Sequence, residues 1–283
     1  MRELKVKTPA KINLTLEVLD KREDGFHNIQ SIMQAINLYD FLTIKVEESQ
    51  GILIKLSGNS PDIPYDSSNL IYKAAVKFLE LARIDNVKID IYIEKNIPVA
   101  AGLAGGSSNA AGTFYGLNNL FDDILSDEQL NQLCASLGSD LNFCLKGGCA
   151  VCTSRGEVIE SLPYAPLELS LIKPKSFGIS AKEAYTKFAN LKDKSNPDAT
   201  NKMKELLIQN KFDNSLLFNS LEKAVINDYQ ELISIKSKLP ESMMSGSGPT
   251  FFVLNPKINV DFDSDKFVII ENLKTISEGV TLA

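Results

Sequence analysis

Residues Pro98–Gly112 read PVAAGLAGGSSNAAG, and this stretch decides the reading of the chain. Gly102, Gly105 and Gly106 lie close together, followed by Ser107, Ser108 and the start of a helical pattern. Glycine lets a backbone approach a ligand closely, and a following helix adds unpaired N–H donors and a positive dipole end. Together these features form a cradle for phosphate. The stretch contains neither the G-x-x-x-x-G-K-[ST] nor the G-x-G-x-x-G pattern of the familiar nucleotide loops. A plain glycine turn with Ser107 or Ser108 as N-cap is the competing reading, but one cap does not require three glycines. The helix is expected from about Ser108 to Leu120, with Ala111, Phe114, Leu117 and Phe121 as its apolar stripe.

On the N-terminal side, Lys11–Val18 (KINLTLEV) alternates. Ile12, Leu14, Leu16 and Val18 point one way; Lys11, Asn13, Thr15 and Glu17 point the other. This predicts a half-buried strand with a polar face. Strands are also expected at Phe41–Val46, Ile52–Leu56 and Val87–Glu94, and a helix at Leu70–Arg83 with Leu70, Ala74, Phe78 and Leu81 on one face. Beyond the loop, Ser126 with Gln129 marks a capping box for a helix ending near Gly138. Val151–Ile159 reads as a strand broken by a turn at Arg155–Gly156. After about Leu162 the character shifts. Helices are expected at Ala181–Phe188, Lys202–Ile208, Leu216–Ala224 and Asp228–Lys238, and strands at Leu167–Ile172, Phe251–Leu254 and Phe267–Ile270. Asn190–Asn201 is polar and turn-rich, as in a mobile surface loop. Strands first, then mixed elements, predict an α+β protein of two lobes, residues 1–161 and 162–283.

Composition narrows the chemistry. The 283 residues are 44% hydrophobic and 23% charged, an ordinary globular balance. A formal charge of −6 argues against nucleic acid as partner, while leaving room for an anionic small molecule held by a few local donors. His27 is the only histidine, so multi-histidine metal sites are excluded within one chain. The four cysteines are Cys134, Cys144, Cys149 and Cys152. The last two, three positions apart on a strand, fall on opposite faces and read as small buried hydrophobes in a reducing cytosol. No apolar run approaches the roughly 18 residues of a membrane span, so a cytoplasmic protein with no membrane partner is expected.

Three further places could carry chemistry. SGSGPT (Ser245–Thr250) lies between a helix and an apolar strand, and reads equally as a second donor loop or a flexible turn. Asp140 in LGSDLNF is placed to N-cap a short helix at Leu141, or to act as a general base if a cation such as Lys11 holds it ionised. His27 follows Phe26 where the chain re-enters structure after the turn Asp24–Gly25. An aromatic beside a histidine suits recognition of a nucleobase.

Taken together, PAKINL (Pro9–Leu14), DGFH (Asp24–His27), the Pro98–Gly112 loop, LGSD (Leu137–Asp140) and SGSG (Ser245–Gly248) resemble the GHMP kinase superfamily in order and spread. The first two resemble the branch acting on a cytidine diphosphate-linked methylerythritol, an isoprenoid precursor, rather than the mevalonate, homoserine or galactose kinases. The resemblance implies a two-lobed α+β fold: an N-terminal lobe like domain 2 of ribosomal protein S5, and a ferredoxin-like C-terminal lobe. It implies ATP as co-substrate, Mg²⁺ beside it, and phosphorylation of the tertiary hydroxyl at carbon two of the methylerythritol. By position, Asp140 would be the base and Lys11 its cationic partner. Lys95, Pro98, Gly102, Leu103, Ala104, Gly105, Gly106, Ser107 and Ser108 would hold ATP. Asn13, Phe26, His27, Phe177, Gly246, Ser247 and Gly248 would hold the second substrate, with His27 hydrogen-bonding the cytosine, Phe26 stacking on it and Phe177 on its opposite face. No metal ligand is assigned, and a monomer or weak homodimer is expected. The alternatives are another small-alcohol kinase of mevalonate or homoserine type, or a non-catalytic nucleotide-binding sensor of the same fold. The chain departs from the pattern at three places: Ala104 for a frequent glycine, Asn109 for a common aspartate, and Phe26 for a frequent tyrosine.

Overall fold

The computed structural model describes residues 1–283. In chain order it runs β1 (Arg2–Lys21), β2 (His27–Glu48), β3 (Ile52–Gly58), α1 (Leu70–Ala82), β4 (Val87–Glu94), α2 (Gly105–Leu120), α3 (Asp127–Leu137), α4 (Leu141–Lys146), β5 (Cys149–Ser154) and β6 (Val158–Leu162). It continues with β7 (Glu168–Pro174), α5 (Ala181–Ala189), α6 (Ala199–Ile208), β8 (Phe218–Asn219), α7 (Ser220–Val225), α8 (Gln230–Lys238), β9 (Met243–Met244), β10 (Phe251–Val253), β11 (Phe267–Lys274) and β12 (Thr281–Leu282). The strands form two sheets. One has eight strands along the path β12-β1-β2-β4-β3, with β5 and β6 extending from β2 and β8 pairing β1. The other has four, in the order β11-β7-β10-β9. No helix is long and apolar enough to cross a membrane.

Each sheet closes a core against helices. In the larger, Val6, Leu42, Ile44 and Ile89 pack on Phe78 of α1 and Phe114 of α2. In the smaller, Ile172 and Phe251 pack on Phe188 of α5, Leu221 of α7 and Ile235 of α8. A third cluster joins the two, with Ile12 and Leu14 of β1 against Leu171 of β7, Phe252 of β10 and Met203 of α6. The C-terminal part also lends strands to the first sheet, because β8 lies parallel to Thr15–Leu16 and β12 antiparallel to Val6–Lys7.

Several elements differ from the sequence reading, each for a tertiary reason. The polar residues of β1 form no single solvated face: Lys11, Asn13, Thr15 and Glu17 are all buried, and a register shift between Asn13 and Thr15 turns the latter two to the other side of the sheet. α2 begins at Gly105 rather than Ser108, and it is buried nearly all round rather than along one stripe. α1 turns Ile71, Ala74, Ala75, Phe78 and Leu79 inward, leaving Leu81 exposed. β2 starts at His27, far ahead of Phe41; its buried Ser31 and Gln34 break the apolar alternation. The helix expected at Leu216–Ala224 is instead a 3₁₀ turn, the strand β8 and the short α7. The polar Asn190–Asn201 stretch is tied down at its far end: Asn196 donates to the Val18 carbonyl and α6 begins at Ala199. The cysteines are free and buried as expected; Cys149 and Cys152 belong to different clusters, and burial pushes the Cys149 thiol up to about 12.

One buried group fastens the lobes. Glu17 accepts the N–H groups of Ala199 (3.0 Å) and Thr200 (3.2 Å), where α6 has no side-chain cap of its own. The carboxylate thus satisfies two orphan donors at the positive end of the helix. Glu17→Ala is expected to lose about 2–3 kcal/mol of unfolding free energy, because both donors are left buried without a partner. Urea denaturation measures it, and a loss under about 0.5 kcal/mol, the size of an ordinary surface change, would remove Glu17 from this role.

Candidate active site

A cleft of about 1140 Å³ lies between the lobes, lined from both sides. Its floor is the glycine-rich loop. Gly102 has φ +74°, and Ala104 holds the left-handed conformation (φ +57°) at the start of α2. The structure therefore accepts the Cβ of Ala104 at a position that suits glycine. Gly105, Gly106 and Ser107 line the cleft with first-turn N–H groups that have no intrahelical acceptor. Neither serine caps the helix by its side chain; Ser108 is fully buried, and its hydroxyl donates to the Pro9 carbonyl at 2.7 Å.

β1 is docked onto this loop, since the Lys11 N–H donates to the Leu103 carbonyl at 3.1 Å. The Lys11 ammonium donates to Asn13 Oδ1 at 2.7 Å and lies 3.8 Å from Asp140 Oδ2. Asn13 is oriented in turn by donating to Ser31 Oγ at 2.9 Å. Asp140 takes the N-cap position of α4, yet its side chain makes no cap hydrogen bond. The carboxylate is left free to face Lys11 and the cleft, with 29% of its side chain exposed.

From the other lobe, the Ser245–Thr250 turn closes on the loop. Ser245 Oγ donates to the Gly102 carbonyl at 3.0 Å. At Gly246, φ is +54°, and a Cβ would stand 2.9 Å from that carbonyl and 3.1 Å from Lys11 Nζ. Gly246 and Ser247 line the cleft, whereas Gly248 faces Met244 and does not.

One end of the cleft is aromatic. His27 stacks on Tyr185 at 5.5 Å and meets the edge of Phe188 at 6.1 Å. Burial, then the charges of Lys21 and Lys194, hold its imidazole below the usual histidine value. Phe26 is 52% exposed, with the Arg155 guanidinium 5.3 Å above its ring. Tyr185 and Arg155 line the cleft, and the sequence reading did not include them. Burial first, and then the Asp140 charge, raise the Tyr185 phenol, keeping it neutral.

Phe177 sits outside the cleft, and Lys95 lines it but is already paired. Phe177 stacks on Tyr229 at 4.5 Å, outside the cleft lining, so the ring beside His27 is Tyr185. The Lys95 ammonium lies under Gly105 and is paired with the fully buried Asp40, so it is not a free cation for the adenine end. Asp40 also accepts the N–H groups of Asn96 (2.7 Å) and Ile97 (2.8 Å) and the Asn109 amide (3.0 Å), holding the strand exit and the helix start together. Asn109 serves this network as a donor, a task an ionised aspartate cannot perform.

Residues 69–150 match the family model described as GHMP kinases N terminal domain. The solved homoserine kinase from Cytophaga hutchinsonii superposes with a TM-score of 0.77 at 18% identity, covering 100% of this chain and 98% of that one, a likeness of fold. The family model and this fold place the chain among the GHMP kinases. A solved 4-(cytidine 5'-diphospho)-2C-methyl-D-erythritol kinase superposes with a TM-score of 0.70 at 28% identity over 89% of this chain and 90% of that one. The 4-diphosphocytidyl-2-C-methyl-D-erythritol kinase of Clostridium acetobutylicum is 39% identical, covering 88% of this chain and 90% of its own length. That of Prochlorococcus marinus is 41% identical, covering 89% and 86%. The chain belongs to the 4-diphosphocytidyl-2-C-methyl-D-erythritol kinase family.

The lone histidine offers a clean measurement. One imidazole resonance is expected by proton NMR, titrating below 6.5 because burial and two lysines disfavour the charged ring. Tyr185→Ala opens the packing and is expected to move the midpoint up toward 6.5. A midpoint at or above 6.5 in the unaltered protein would contradict the described environment.

Proposed function

We propose that the chain transfers the γ-phosphoryl group of ATP to the 2-hydroxyl of 4-diphosphocytidyl-2-C-methyl-D-erythritol, releasing ADP. The observation that carries this reading is the Lys11–Asp140 pair (3.8 Å), which stands where two glycine turns meet and beside an aromatic pocket for a base.

In this reading Asp140 accepts the hydroxyl proton as the oxygen attacks phosphorus. The new P–O bond forms in line with the breaking bond to ADP, whose bridging oxygen keeps the electron pair. Lys11, fixed by Asn13, faces the Asp140 carboxylate and attracts the charged γ-phosphoryl oxygens. The free N–H groups of Gly105, Gly106 and Ser107 hold the ATP phosphates. Phe26 and Tyr185 offer faces to the cytosine, and the neutral His27 offers one donor and one acceptor to its edge. The Arg155 guanidinium packs on the Phe26 ring.

The chain brings together no group of three or more acidic, histidine or cysteine side chains able to hold a metal. This donor set fits a Mg²⁺ ion that travels on the ATP oxygens and keeps most of its waters, with the Asp140 carboxylate and the Ser107 hydroxyl as the nearby protein oxygens. When bound, the ion neutralises phosphate charge. The four free, buried cysteines support work in a reducing cytoplasm.

Coupled ADP release with Mg-ATP and the cytidine substrate tests the reading directly; phosphorylation of mevalonate or homoserine instead would refute it. Asp140→Asn is expected to lower kcat by about a hundredfold or more, the scale of a lost general base. His27→Ala is expected to raise KM for the cytidine substrate far more than KM for ATP, and equal changes in both would move His27 out of the base pocket.

A further inference from the structure

The glycine turn Ser245–Gly248 is held over Lys11 in part by its own hydroxyls, Ser245 Oγ on the Gly102 carbonyl and Ser247 Oγ on the Ile179 carbonyl, but its entry needs a further hold. It follows β9, which is the edge strand of its sheet. β9 spans only Met243–Met244 and pairs with β10 on one side, so its outer N–H and carbonyl groups have no strand partner. Two side chains from the start of α7 occupy that edge. Asn219 Nδ2 donates to the Met244 carbonyl at 2.6 Å and to the Gly246 carbonyl at 2.9 Å. Glu222 Oε2 accepts the Met244 N–H at 2.8 Å. Both residues are buried.

Asn219 leaves no polar group unused. Its Oδ1 accepts the N–H groups of Leu221 (2.8 Å) and Glu222 (3.3 Å), capping α7. Its backbone lies in β8, paired to Leu16 of β1, the strand that carries Lys11. Glu222 is held by Lys236, which also donates to the Ser242 carbonyl just before β9. A single helix start thus connects the lysine strand to the glycine turn. We propose that Asn219 and Glu222 form a side-chain clamp that replaces the missing strand neighbour of β9 and sets the position of Gly246 over Lys11. They are positioning residues, acting through the Ser245–Gly248 backbone; the effect on turnover rests on the kinase reading above, whereas the effect on the turn does not.

The test compares Asn219→Ser with Val225→Ala, a cavity-forming change in the same lobe core, by hydrogen–deuterium exchange, thermal unfolding and steady-state kinetics. Serine still caps a helix but cannot donate to both carbonyls. For Asn219→Ser, amide exchange over 243–248 is expected to rise about tenfold or more. Its kcat is expected to fall about tenfold to a hundredfold, as for a misplaced reacting group, with KM for ATP within about twofold because the loop N–H groups are untouched. Val225→Ala is expected to lower Tm without either effect. Equal behaviour of the two variants in exchange and kcat would overturn the clamp. Should Asn219→Ser fail to fold, Glu222→Ala against Glu222→Gln decides. The glutamine keeps an acceptor for Met244 N–H and is expected to leave its exchange near the unaltered rate, while the alanine raises it about tenfold; similar exchange in both would overturn the clamp. If the unaltered protein does not phosphorylate the cytidine substrate, the kinase reading falls, and the exchange data still decide the clamp.

Discussion

The structure depends on a contact between two backbones. At Gly102 a Cβ would overlap the Ser245 carbonyl oxygen, and at Gly246 it would crowd both the Gly102 carbonyl and the Lys11 ammonium. Both residues also hold positive φ, which side chains disfavour. With no side chains at the junction, the phosphate loop and the second glycine turn come close enough for Ser245 Oγ to donate to the Gly102 carbonyl. Lys11 is caught between them, its N–H on Leu103 and its ammonium beside Gly246. A bulkier junction would separate the lobes where phosphoryl transfer needs donors on both sides of the reacting group.

Electrostatics follow from that closeness rather than from the whole chain. The formal charge is −6, yet Lys11, Lys21, Lys95, Arg155 and Lys182 line the cleft against Asp24 and Asp140. Lys95 is neutralised by Asp40 beneath the loop, Lys11 faces Asp140 and Arg155 faces Glu157, so the cleft lysines without an acidic partner are Lys21 and Lys182. A cleft with low-dielectric walls concentrates such a field, and a chain of net negative charge can still attract polyphosphate there.

Local signals were legible in the sequence, and remote ones were not. The capping box at Ser126 and the stop at Gly138 are decided by neighbouring residues and stand in the fold as read, whereas of the three glycines only Gly102 precedes α2, which takes in Gly105 and Gly106. Asp140 and Lys11 lie 129 positions apart, so the residues alone offered Lys11 as one possible cation for Asp140, and the family resemblance singled out the pair. Lys95 was expected to hold ATP, and its pairing with Asp40, which comes from another strand, had no local signal. Phe177 drew attention by its position in KSFGIS, but Tyr185 lies on the helix face that packs beside His27. β8 read as part of a helix because a two-residue strand has no period; only its pairing with β1 defines it.

The same limit applies to β1, and there it carries the most consequence. Alternation picked out its polar residues but not their faces: a bulge between Asn13 and Thr15 turns Thr15 and Glu17 to the side of the sheet opposite Lys11 and Asn13. Alternation normally means solvent on the polar side, and here both sides are dry. A buried polar group is tolerated only when hydrogen-bonded, so each of these residues needs a partner from elsewhere. Lys11 finds Asn13 and Asp140; Thr15 accepts the Thr200 hydroxyl; Glu17 accepts the first N–H groups of α6. Along one strand, the partners pass from the proposed base on the cleft face to the C-terminal lobe on the opposite face. The lysine that faces the cleft and the carboxylate that docks α6 are therefore fixed by one rigid strand. Shifting the lobes would strip buried partners from Thr15 and Glu17 before it could move Lys11, so lobe docking and the aim of Lys11 form one constraint.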